Sequence, residues 1–278
     1  MPKKIPINLA AALEVAGAEM PAPIVDAHRM RNLFADARPR STPGYGAPTG
    51  DLVDDVIAAG PDRFDEALDV AAREYQRRAF LLAAGQSISH SLSALAGQAH
   101  ASVADDLHAT FAVAFDERAR KLEKVAARLP AGANALEPEH VLAADARRAF
   151  IEASDLLDEM LTLAGGIEVT PPLVGGQRVL GGGVALLVNP GHVAQVVVHD
   201  LTDRPISSND EVAAAEAVRR ACKTYHADPR TFLVGMARAE YGGLHLAYAP
   251  SVSDLTERLE QVRRAHVLRV TRSASTAA

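Results

Sequence analysis

The chain has 278 residues, of which 48% are hydrophobic, and a formal net charge of −6, which is enough length for two compact units without staples and too apolar for a wholly disordered chain. Aromatic residues make up only 4%, Trp is absent and Ala supplies about one residue in five, which disfavours a β-sandwich core and favours closely packed helices. The charge is uneven: 1–50 carries +2, 51–165 carries −9 and 166–278 carries +1, so the acidic middle offers no general affinity for nucleic acid phosphates.

In chain order, short helical patterns cover Leu9 to Glu19 and Val25 to Ala37. They are followed by Pro39-Arg40-Ser41-Thr42-Pro43-Gly44-Tyr45-Gly46-Ala47-Pro48, which cannot hold a helix because proline removes donors and glycine raises the cost of order. That stretch reads as an extended arm or a linker. From Asp62 to Leu129 apolar positions recur through Phe64, Leu68, Ala71, Tyr75, Leu82, Ile88, Leu92, Leu95, Val103, Leu107, Phe111 and Phe115. Their mean step is about 3.6 residues, the period of a straight helix rather than of a left-handed coiled coil. Gly85-Gln86-Ser87-Ile88-Ser89-His90-Ser91 is the weak place, since Gly and Ser lower helix propensity; a break there makes a hairpin, and continuity makes a single rod.

Pro130 to Asn134 is a stop, and Glu137-Pro138-Glu139 starts a helix that runs to Gly165-Gly166. Beyond the glycine pair, Ile167 to Thr170, Gln177 to Leu180, Val184 to Val188 and Val193 to Asp200 read as strands. Helices are expected at Asn209 to Tyr225, Pro229 to Glu240 and Ser253 to His266, with a strand at Leu244 to Ala249. The expected fold is mainly α with a smaller α+β C-terminal domain, a long amphipathic helix or helical hairpin packing as a bundle. The expected divisions are an N-terminal arm over 1–50, a long-helix bundle over 51–165 and a small α+β domain over 166–278 that ends in a basic helix and a disordered tail.

No motif fixes a reaction. Gly181-Gly182-Gly183 precedes a strand-like run and lacks the Lys-Ser or Lys-Thr pair of a phosphate loop, so a turn is the simpler reading. Glu137-x-x-His140 and Asp105-x-x-His108 resemble carboxylate–His spacings of helical metal sites, but Pro138 puts one at a helix end and the other has Asp for Glu. His192 and His199 are seven residues apart across a strand-like run, which puts them on opposite faces. Cys222 and His226 lie one helical turn apart, with no second pair at zinc spacing. Ser87 lacks the second glycine of a nucleophile elbow. Asp54-Asp55 and Asp105-Asp106 diverge on a helix and read as solvated, as do Arg258, Arg263, Arg264, Arg269 and Arg272. No catalytic residue is assigned, and neither cofactor nor metal is expected.

One cysteine excludes an intrachain disulfide and fits a reducing compartment. No apolar run approaches the ~20 residues of a membrane span, and Ile5 to Ala18, interrupted by Pro6, Asn8 and Glu14, is no signal-peptide core. The expectation is a cytoplasmic, non-catalytic structural or assembly protein that self-associates or packs on a protein partner, for instance in a phage or other large particle. Membrane is excluded as a partner and nucleic acid disfavoured. The alternative is an enzyme whose site lies in the C-terminal domain, around His192, His199, Asp200 or His226. A weaker third is nucleic-acid binding through the Arg-rich C-terminal helix.

Overall fold

A computed structural model of the chain describes residues 8–37, 50–132, 135–169, 173–174, 177–178, 180–189 and 209–275. The described residues are mainly helical, with two short two-stranded ladders. They fall into two compact units, Met20–Val103 and Met1–Glu19 with Ala104–Ala278.

In the unit spanning Met20–Val103, α2 (Ala22–Ala37) and α3 (Gly50–Ala58) pack on α4 (Phe64–Ser102), which a 3-10 turn at Pro61–Arg63 precedes. Asp65 and Glu66 lie in the first turn of α4, where the macrodipole favours them. The helix runs for 39 residues, or ~58 Å at ~1.5 Å per residue. It passes unbroken through Gly85 to Ser91, the stretch at which the sequence leaves a hairpin and a continuous helix equally open. The long segment instead divides at Val103, and neither the single rod over Asp62 to Leu129 nor the break at Gly85 holds. The Ser102 hydroxyl donates to the Ala99 carbonyl at 2.9 Å and the Val103 N–H to His100 at 3.3 Å. Asp105 and Asp106 then open the first turn of α5 (Ala104–Ala126).

The other unit is built on α1 (Leu9–Ala16), α5 and α7 (Arg147–Ala164), which pack on one another. Asn8 caps α1 by accepting from Ala11 N–H at 3.1 Å, and Gly17 closes it at φ 68°. Gly166 lets α1 approach closely: a Cβ there would lie 2.6 Å from the Ala12 methyl and 2.7 Å from the Phe111 ring. Leu107, Phe111, Phe115, Leu122, Leu157, Met160 and Leu163 are buried between the helices. Tyr248 enters the same core, its ring 5.7 Å from Phe115 and 6.2 Å from Phe111. The chain itself therefore covers Leu107, Phe111 and Phe115.

Around this core stand α6 (Pro138–Ala143), α8 (Gly182–Leu187), α9 (Asn209–Ala227), α10 (Pro229–Ala237) and α11 (Val252–Ser275). Asp228 caps α10, accepting from Arg230 N–H at 3.0 Å. Strands β1 (Leu173–Val174) and β2 (Gln177–Arg178) pair antiparallel, as do β3 (Val188–Asn189) and β4 (His245–Leu246) in the register Val188 with Leu246. Val184 to Val188 is thus a correction: its first four residues are helical and only Val188 is in a strand. A short, fully buried apolar run carries no periodicity to separate the two states, and here Val184, Ala185, Leu186 and Leu187 are all buried. Residues 167–169 form no strand, β2 covers Gln177 and Arg178 while Leu180 lies outside it, and Val193 to Asp200 lies outside the described residues.

Candidate functional site

The feature that separates the two units is how well each covers its own apolar surface. Of the 39 residues of α4, only Gly85 and Ala99 are buried. The side of the helix that meets α2 and α3 is half-buried, with Ala67, Ala71, Glu74, Arg78, Leu81, Ile88 and Leu92 at helical spacing. The flank beside it keeps Phe64 (47%), Leu68 (47%), Tyr75 (51%) and Leu82 (43%) exposed. Phe80, Val70 and Leu95 are exposed elsewhere on the helix. Across Met20–Val103 the remaining buried residues among those described are Ile24, Ala27 and Val56. These five make a far smaller core than that of the other unit.

Charge on α4 is arranged in sequence blocks. Asp65, Glu66 and Asp69 lead, and Arg73, Arg77 and Arg78 follow, with Glu74 between them. Glu74 accepts from Arg78 Nε at 3.0 Å and Arg77 Nη1 at 3.1 Å, and these bonds, Arg78 first, hold its carboxyl below the usual range. From Ala79 to Ala104 there is no Asp, Glu, Lys or Arg.

The described chemical candidates have structural duties instead. His108 is buried, its Nδ1 2.8 Å from the Ala249 carbonyl, and Asp105 accepts from Val252 N–H at 2.9 Å. His140 pairs with Glu137 at 3.1 Å, both half-exposed. Ser87 is exposed in mid-helix, with no strand-to-helix turn beside it. Cys222 is buried while His226, one turn on, is exposed; burial pushes the Cys222 thiol up to about 12. Among the described residues no group of three or more His, Cys, Asp and Glu is placed to hold a metal ion. His192, His199 and Asp200 lie outside the described residues.

The glycine triplet opens a short helix rather than preceding a strand, with Gly181 at its cap and Gly182 and Gly183 as its first residues, and its glycines serve packing. A Cβ at Gly183 would lie 2.1 Å from the Tyr225 ring and one at Gly181, where φ is 142°, 2.4 Å from Val262.

Arg258 corrects the reading of the basic tail as a solvated face. It is 5% exposed, donates to the Ala247 carbonyl at 2.6 Å and pairs with Asp254 at 2.7 Å. Burial, opposed by Asp254 and then Asp116, lowers its pKa. Asp116 accepts from Tyr248 N–H at 3.3 Å, and burial raises its pKa. This cluster ties α11 and the chain that follows β4 to α5. Arg263 and Arg264 both pair with Glu260 on their own helix, and the side chains of Arg269 and Arg272 lie outside the described residues.

No family model matches the chain, and no curated protein or solved structure is significantly similar to it. No helix among the described residues is long and apolar enough to cross a membrane.

Proposed function

We propose that the chain is a non-catalytic assembly protein that self-associates through α4. One observation carries this reading: a 39-residue helix with two buried residues holds Phe64, Leu68, Tyr75 and Leu82 in solvent along one stripe. Large apolar groups aligned along one helix face mark an interaction surface when they are contiguous. The region around α4 lacks the buried area to order itself, so association supplies what the chain does not. The single buried cysteine suits a cytoplasmic home for such a protomer.

Amide exchange tests the reading. Protection along Phe64 to Ser102 is expected to rise with protein concentration, while protection in α5 and α7 stays constant. Exchange along α4 that is the same at all concentrations contradicts it.

A further inference from the structure

We infer that α1 is a strap that opens on its own: it lets go of α5 and α7 as one piece while the rest of its unit stays folded. The two compact units are not consecutive in sequence. Met20–Val103 lies between α1 and α5, both of which belong to the other unit, so the chain leaves that unit at Glu19 and returns to it at Ala104. The return is anchored by the 23 residues of α5. The departure is anchored by the eight residues of α1.

The hold on α1 is small and local. Ala12 and Leu13 are its buried residues, the Asn8 N–H donates to the Gly165 carbonyl at 2.9 Å, and Arg118 donates to the Val15 carbonyl at 2.8 Å. Its partners do not depend on it. Arg118 also donates to the Ala114 carbonyl and pairs with Glu159. Helices α5 and α7 pack on each other, and α10 packs on both, α11 on α5 and α8 on α7. Release of α1 uncovers Gly166 and the Phe111 ring beneath Ala12 and leaves those other contacts in place. An isolated helix of eight residues is not stable in water, so the released strap also gains backbone freedom. Segments held by few buried apolar groups open at a free energy well below that of the whole unit. The cap belongs to the moving piece, because Gly17 and Ala18 bond back to Glu14 and Leu13. Closed, α1 ends beside the turn from Ala114 to Arg118, ~15–20 Å along α5 from Ala104. The inserted residues are then held at two separated points, and opening leaves them joined at Val103 alone.

Amide exchange of the full chain at a fixed protein concentration, in rising but sub-denaturing urea, tests this. The amides of Leu13 and Val15 are expected to exchange about tenfold or more faster than those of Leu122 in α5 and Leu157 in α7, with a weaker dependence on urea because the opening exposes less surface. Leu13→Ala, which removes the larger of the two buried side chains, is expected to speed exchange in α1 by a further factor of about ten or more and to leave Leu122 and Leu157 within about twofold. Amides of α1 that share the protection and the urea dependence of Leu122 and Leu157 in the wild-type chain overturn the strap. So does a Leu13→Ala chain in which α1, α5 and α7 all exchange faster by the same factor.

Discussion

Single residues in Met1–Glu19 with Ala104–Ala278 show a core that is already complete. Gly183→Ala drives a methyl into the Tyr225 ring and is expected to cost about 1–3 kcal/mol in chemical unfolding. Arg258→Ala strips the Ala247 carbonyl and Asp254 of their shared donor, an expected loss of about 2–3 kcal/mol; a loss below ~0.5 kcal/mol would return Arg258 to the solvated face. Burial pushes the Cys222 thiol up to about 12 from an ordinary value of 9.0. The unfolded chain therefore releases this proton first as pH rises. Its contribution to stability is whole below 9.0 and is lost between there and about 12. Native Cys222 is accordingly expected to resist a thiol reagent at about pH 8 and to react fully in denaturant, and Cys222→Ala to flatten the alkaline fall in stability. Glu260 works in the opposite sense. Its bonds from Arg263 and then Arg264 hold its pKa down to about 2, so its contribution is present above the usual carboxylate value of 4.5 and fades as pH falls towards 2.

At the scale of elements, α4 runs through two glycines that nothing in the described chain requires. A Cβ at Gly85 or Gly97 would meet no atom within 4 Å. Gly85→Ala and Gly97→Ala are each expected to stabilise the helix by up to about 1 kcal/mol, read as a higher melting temperature. The helices were legible in the sequence because their periodicity is local, and Pro138 stands at the start it announces. The division at Val103 was not, because Ser102, Val103 and Asp105 compete only weakly with a continuing helix, and the bond Asp105 accepts from Val252, far along the chain, has no local signature. The apolar walk along α4 also merged two faces. Ile88 and Leu92 turn towards α2 and α3, whereas Phe64, Leu68, Tyr75 and Leu82 lie on the flank beside them, and one list of hydrophobic positions cannot tell a covered stripe from a bare one. Arg258 was misread for a related reason: its acceptor is a backbone carbonyl eleven residues earlier, which has no signature in a charge pattern.

At the scale of the whole molecule the two units are unlike. One holds nearly all of the buried aromatic and aliphatic side chains, and the other exposes Val25, Met30, Leu33, Ile57, Phe64, Leu68, Tyr75 and Phe80. On the proposed reading, association covers what the chain leaves bare. The acidic balance of 51–165 does not oppose that, because α4 carries four of its twenty acidic residues and three of its eleven basic ones. The most direct test is the mass of the purified full chain by light scattering over a wide concentration range. Self-association through α4 predicts a mass of at least twice the 29.4 kDa of one chain, falling towards one chain on dilution. A mass of 29.4 kDa at every concentration would contradict it.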